Sequence, residues 1–219
     1  MIGQQLKVEI EEYAERLRGS SNLLRRARQG TLGRPAVLAF LWNIRYVLRE
    51  TPSYLALARG VAEERGQREL AAFYEQKIAD ESGHDRWADQ DLVSLDPKLD
   101  LVRSTPPMEP LSELMVFLRS TIRREPADLL VYMLFAEYLT VLLGPDWIAA
   151  LESHCGIPAS SMTSIGKHVE LDKDHVQDDL ATLRALLPRD ADVVRLQETL
   201  RCFMAYWERF YEQLAELPN

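Results

Sequence analysis

Between Leu129 and Gly144 the chain runs for 16 residues with a single charged side chain, Glu137, set among Leu129, Leu130, Val131, Met133, Leu134, Phe135, Val141, Leu142 and Leu143. A helix that is apolar nearly all round has no face to offer water and must be enclosed by other elements. The run falls short of the roughly 20 apolar residues that a membrane span needs, so it predicts a buried core helix. An ionised carboxylate at its centre is strongly unfavourable unless it is paired, hydrogen-bonded or bound to metal. Glu137 therefore needs a cation or a proton.

The rest of the chain shows helical spacing, and no segment sustains period-two alternation, which makes the fold class all-α. Glu9 to Arg18 reads as an amphipathic opening helix, and Ser20-Ser21-Asn22 offers caps for a short helix ending at Gly30. Pro35 to Glu50 carries a broad apolar face, and Thr51-Pro52 is expected to end that helix and start the next. A long helix is expected from about Gln67 to Leu92, with a modest break near Gly83, and Leu95 to Pro107 reads as a linker. Further helices are expected at Leu111 to Ile122, Ala127 to Leu143, Pro145 to His154, Ser160 to Leu187 and Asp192 to Leu217. With no repeat and no second boundary, residues 1–219 read as one domain, a bundle of seven to nine helices.

The net charge of −8 and a pI near 5.1 provide no positive field for phosphate backbones or anionic lipid, so neither nucleic acid nor a membrane is an expected partner. The two cysteines form no C-x-x-C pair and suit a reducing cytoplasm, and the N-terminus lacks the pattern of a secretory signal. His154-Cys155 reads as structural, since adjacent helical side chains diverge, and Cys202 reads as a small core residue.

Two of the four histidines follow an acid by three residues, as Glu81-x-x-His84 and Asp172-x-x-His175, and His168 lies four before Asp172. On a helix each pair points to one side, so oxygen and nitrogen can converge on one ion. Together with Glu137 the set is Glu81, His84, Glu137, His168, Asp172 and His175: three imidazoles and three carboxylates. Dimetal carboxylate bundles use two Glu-x-x-His motifs plus a lone Glu from each of two further helices, and this set is a histidine-richer variant. Mixed nitrogen and oxygen ligation suits iron or manganese, and six ligands fit two metals with positions left open. The bland alternatives are a solvated polar face for His168, Asp172 and His175, an exposed face for Glu81 and His84, and an Arg or Tyr partner for Glu137. Tyr74, Tyr132, Tyr138, Trp42, Arg45 and Tyr46 are candidate substrate-cavity residues, with Arg45 placed to meet a substrate carboxylate; core packing is the commoner role for such aromatics.

Gln29-Gly30-Thr31-Leu32-Gly33-Arg34, followed by the stretch Phe40 to Pro52, resembles the early helices of the haem-oxygenase-like proteins related to thiaminase II and pyrroloquinoline-quinone synthase. His168-x3-Asp172-x2-His175 resembles the third metal-binding helix of the branch known as haem-oxygenase-like diiron oxidases and oxygenases. The resemblance spans Leu24 to Leu217 and implies a haem-oxygenase-like helical bundle. It implies that the six residues hold two iron ions, with manganese as an alternative at one site, and that dioxygen is a co-substrate. The Glu81-x-x-His84 spacing resembles members that decarboxylate fatty acids, while other members act on amino acids or amines in biosynthetic pathways. An external electron donor, a small-molecule substrate and a homodimer are expected with it. The alternatives are a metal-free enzyme of the thiaminase or quinone-synthase type, and a non-catalytic helical interaction protein.

Overall fold

The computed structural model describes residues 2–102, 105–187 and 193–218. Among them are nine α-helices and two short 3₁₀ turns and no strand: α1 (Ile2–Ser20), α2 (Asn22–Arg28), α3 (Arg34–Glu64), α4 (Arg68–Glu81), α5 (Asp85–Leu95), α6 (Glu109–Arg124), α7 (Leu129–Cys155), α8 (Thr163–Leu186) and α9 (Val193–Glu216). The all-α expectation holds. Residues 103–104 of the expected linker and Asp192, the expected start of the last helix, lie outside the described residues.

Local chemistry sets several of the helix ends. Ser21 caps α2, its side chain accepting from the Leu24 amide. Gly33 caps α3 with Pro35 in the first turn, where a missing N–H costs nothing. Gly30 turns out of α2 at φ +67°, and a side chain there would also meet the His154 carbonyl, its Cβ only 2.6 Å away.

Two expected boundaries are absent. Pro52 lies inside α3 and Pro145 inside α7, so each predicted pair of helices is one continuous helix. Proline costs a helix interior about 3 kcal/mol, yet both halves of each helix bury apolar side chains in one core. In α3 these are Phe40 and Leu41 before Pro52 and Tyr54, Leu55 and Ala58 after it, and burying each large one is worth about 2 kcal/mol. Polar side chains also serve carbonyls next to the breaks: Thr51 Oγ1 donates to Val47, and Arg18 Nη2 to Leu142.

With Pro145 absorbed, the span Pro126–Cys155 is long and apolar enough by length and composition to cross a membrane, unlike the shorter run read from the sequence. Its most apolar window is 67% buried inside the protein, as befits a core helix. α7 packs against α1, α2, α8 and α9, while α3 carries α4, α5 and α6. α7 and α8 approach closely at Gly144, where an added Cβ would lie 2.5 Å from Val169 Cγ2 and 3.3 Å from Ile165 Cγ2. Both neighbours are β-branched and stiff, so Gly144→Ala should lower stability by about 2 kcal/mol in urea unfolding.

Candidate metal centre

Three of the donors sit on α8, and a carboxylate from another helix fixes the start of that helix. Asp91 of α5 is 1% exposed and accepts from the amide and hydroxyl of Thr163, at 2.9 and 2.6 Å, and from those of Ser164, at 2.7 and 2.6 Å. An anion bonded to the first amides of a helix satisfies orphan donors and meets the positive end of the dipole. One turn on, the Ser164 carbonyl lies 2.7 Å from His168 Nδ1. A carbonyl only accepts, so the imidazole proton sits on Nδ1. Nε2 is buried and has no hydrogen-bond partner.

Glu81 and His84 do not share a continuous helix: the modest break expected near Gly83, within a helix over Gln67 to Leu92, is a full turn between two helices. α4 ends at Glu81 and α5 begins at Asp85, with Gly83 between them at φ +90°, a conformation that suits glycine. The tight turn still brings His84 Nδ1 to 3.2 Å from Glu81 Oε2. The other oxygen of Glu81 lies 3.9 Å from His175 Nδ1. Around that nitrogen stand Asp172 Oδ1 at 3.4 Å and Glu137 Oε1 at 3.8 Å.

These atoms approach one another without bonding. His84 Nδ1, His168 Nε2, His175 Nδ1, Asp172 Oδ1 and Glu137 Oε2 are all buried, and none has a hydrogen-bond partner. Orphaned polar atoms in an interior are rare and costly, and a cation placed among them would satisfy the set. Two groups, Glu81 with His84 and His168 and Glu81 with Glu137 and His175, each have ligand atoms within 4.8 Å of one another. Glu81 belongs to both. Asp172 adjoins the second group through His175. All six residues are thus brought together, with His84 and His168 buried rather than on a solvated face.

Besides Asp91, two charged residues escaped the sequence reading. Lys77, one turn before Glu81, is 3% exposed; its ammonium lies 3.3 Å from Glu137 Oε1 and 3.8 Å from Asp179 Oδ1. Asp179 is fully buried and continues the stripe of His168, Asp172 and His175 by another turn. That periodicity, and Lys77 four before Glu81, were the available signals. Lys77 is also the partner of Glu137, in place of the Arg or Tyr weighed above.

The cluster holds more acid than base. Burial, reinforced by Asp179, pushes the Glu137 carboxyl well above its ordinary value despite Lys77. Burial raises Asp172, and it raises Asp179 to about 6. Burial also works against the Glu81 carboxylate, but His84, His168 and His175 outweigh it and hold Glu81 below the usual range. The Asp172 carboxylate raises His175, and Glu137 and Asp179 overcome the burial of Lys77 to keep it protonated. Four buried carboxylates crowd around one permanent cation, the electrostatic setting in which a metal ion is stabilised.

Trp87 backs the centre, stacked on His84 at 4.1 Å and edge-on to His168 at 5.4 Å, with the Lys167 ammonium 4.5 Å from its ring centre. The donor cluster adjoins a cavity of about 140 Å³, reached by Glu81, Glu137, His168 and Asp172 and otherwise walled mostly by apolar side chains of α2, α3, α7, α8 and α9, with Thr51, Thr140, Tyr132 and Tyr211 among them. Of the predicted cavity residues only Tyr132 lines it. Tyr74 is fully buried with its hydroxyl on the Pro126 carbonyl, and Tyr138 donates to Glu11 on the α1 side. Arg45 pairs with Asp89 and covers Trp42, whose indole donates to Thr105, and Tyr46 lies beside Arg49. An arginine with its own carboxylate partner is not free to meet a substrate's. Cys155 donates to the Ala27 carbonyl, a structural role, whereas Cys202 is exposed on α9 rather than in the core.

Nine helices wrapped about a buried donor cluster at α4, α5, α7 and α8 can be compared with known architectures. A domain of unknown function with a haem oxygenase-like fold from Shewanella denitrificans OS217 superposes with a TM-score of 0.84 at 16% identity, over 96% of this chain and 90% of that one. The fold is haem-oxygenase-like. A CADD-like protein of unknown function from Nostoc punctiforme PCC 73102 matches the same haem-oxygenase-like bundle with a TM-score of 0.73 at 14% identity, over 97% of this chain and 98% of that one. A second structure of that protein gives 0.66 at 15% identity, over 97% and 95%. Neither family models nor curated proteins give a match to the sequence.

Two outcomes follow from the geometry. A carboxyl whose folded value lies above its unfolded one binds its proton more tightly in the fold, so its contribution is present at low pH and is lost as pH rises through the window between the two values. For Asp179 that window runs from about 4 to about 6. Metal-stripped protein should therefore lose stability across it, and Asp179→Asn should flatten that slope in urea unfolding followed against pH. Asp91→Ala leaves the first amides and hydroxyls of α8 without their buried acceptor and should cost about 3 kcal/mol, measured in the same way at neutral pH.

Proposed function

We propose that the chain is a non-haem diiron oxidase or oxygenase of the haem-oxygenase-like type, cytoplasmic and supplied with electrons by an external donor. The supporting observation is the convergence of six donors, five of them in two groups that share Glu81 and the sixth, Asp172, beside His175, with five of their atoms buried and left without hydrogen-bond partners. In this reading Glu81, His84 and His168 would hold one iron, and Glu137, Asp172 and His175, together with Glu81, would hold the second. Iron fits better than calcium or magnesium, which prefer all-oxygen ligation, and better than a structural zinc, which takes four ligands. When bound, the pair supplies the electrons and the open coordination positions that activation of dioxygen requires.

The residues around the centre have separable tasks. Ser164 fixes the tautomer and direction of His168, and Asp91 fixes Ser164. Lys77 and Asp179 hold Glu137 from behind, away from the cavity. The apolar walls exclude water and place an organic substrate, oxidised or fragmented in a biosynthetic step, beside Glu81, Glu137, His168 and Asp172. A metal-free enzyme of the thiaminase or quinone-synthase type is the second reading, favoured by one observation: Lys77 already gives Glu137 a cation.

Anaerobic titration of metal-stripped protein with Fe(II) should saturate at about two ions per chain, and admission of oxygen should produce a visible absorption band. His168→Ala should weaken iron binding by at least ~100-fold, more than the loss of a supporting residue would. Binding of no more than a trace of iron, together with activity indifferent to chelators and to His168→Ala, would replace this proposal with the metal-free one.

A further inference from the structure

Lys77 reaches the donor cluster from α4 and stands beside carboxylates of two other helices, Glu137 of α7 and Asp179 of α8. Its ammonium donates to Glu137 Oε1 at 3.3 Å and lies 3.8 Å from Asp179 Oδ1, with the ring centre of Phe73 5.9 Å away. Among the described residues no other carboxylate lies within 4 Å of it. The residue is 3% exposed, so water does not replace a partner that the ammonium gives up.

The two carboxylates are unequally served. Glu137 belongs to the donor group formed with Glu81 and His175, and its Oε1, the oxygen that accepts from Lys77, is also 3.8 Å from His175 Nδ1. A divalent ion taken up by that group has to share the Glu137 carboxylate with an ammonium of the same sign. Like charges repel more strongly in a poorly hydrated interior than in water, so the Lys77 contact opposes filling of this group. Asp179, one turn beyond His175 on α8, is fully buried, and neither of its oxygens has a hydrogen-bond partner. A buried carboxylate without a donor, beside an ammonium, is a ready acceptor for it. The lysine stem is flexible, so the ammonium can exchange one oxygen for the other by side-chain rotation.

We propose that Lys77 is a positioning residue that sets the order in which two ions enter: the group of Glu81, His84 and His168 fills first, and the ammonium passes from Glu137 to Asp179 as the second ion claims Glu137. Asp179 is then the carboxylate that receives the displaced charge, which explains a buried acid outside the six donors. The inference rests on the diiron reading above. It also gives the Lys77–Glu137 contact, the observation that favours a metal-free enzyme, a place in a metal-binding chain.

The test is anaerobic equilibrium dialysis of the full, metal-stripped chain against Fe(II), with bound iron counted per chain. Two steps are expected, the tighter abolished by His84→Ala and the weaker by His175→Ala. Lys77→Met removes the competing charge and is expected to tighten the weaker step at least ~10-fold, leaving the tighter one within about twofold. Asp179→Asn removes the receiving carboxylate and is expected to weaken the same step about tenfold. Opposite signs at neighbouring residues mark a hand-over, since a merely structural role would weaken binding in both variants. A second step that is weakened or unchanged in Lys77→Met would overturn the inference and leave the diiron reading standing, as would two ions bound with equal affinity. Should a single variant not fold, the double variant Lys77→Met with Asp179→Asn, which removes the charges as a pair, is expected to tighten the weaker step. A crystal structure of the unaltered chain loaded with Fe(II) decides independently: the ammonium on Asp179 supports the hand-over, and the ammonium still on Glu137 overturns it. Uptake of no iron by any of these chains would sink the diiron reading and this inference with it.

Discussion

The constraint on which the rest of the structure depends is the burial of negative charge. Glu81, Glu137, Asp172 and Asp179 are carried into the interior by α4, α7 and α8, and among the described residues Lys77 brings the permanent positive charge that meets Glu137 and Asp179. The cluster can be stabilised by retaining protons, by protonated imidazoles or by a cation. Without an ion the carboxyls shift their titration and the ligand atoms remain without partners, which is a costly way to build a core. Association with metal relieves both difficulties together. The cluster is therefore electrostatically incomplete by itself, which makes it a candidate site for a cation.

The bundle around it is stiff where the donors need support. Asp91 ties α5 to the first turn of α8, so the helix carrying His84 and the helix carrying His168 are locked to one another a turn away from the ligands. Gly144 lets α7 and α8 approach closely enough for Val169 and Ile165 to fill the gap, which brings Glu137 within reach of the His175 ring. These contacts hold ligand directions in place before any ion arrives, the condition for a preorganised site.

Most of this was legible in the chain itself, for identifiable reasons. The all-α class follows from the spacing of apolar residues, and the six donors follow from one carboxylate inside an apolar run, two acid-x-x-His patterns and a histidine four residues before the second of them. The helix boundaries at Pro52 and Pro145 were misread because local propensity argues for a break, whereas the decision lies with side chains packed on both flanks, which are tertiary facts. Lys77 and Asp179 were passed over because an isolated lysine or aspartate on a helix normally faces water; only their place on the donor stripes hinted otherwise. Asp91 had no comparable signal, since the partners it caps are 72 and 73 residues away. The substrate-cavity guesses around Trp42, Arg45 and Tyr46 failed to reach the cavity because that face of α3 is turned to α5 and the linker, where Asp89 and Thr105 satisfy it.

The turn at Gly83 changes what the interval between Glu81 and His84 means. On an unbroken helix the distance between two side chains is governed by angular phase, and adding a residue would swing the second one about 100° off target. Here the interval belongs to a connecting segment between two independently anchored rods, α4 held against α3 and α5 tied to α8. Extra residues could loop outward there while both side chains kept their aim. The same centre can consequently be assembled from chains with unequal separations between these two positions, and a search that insists on one fixed interval would overlook some of them.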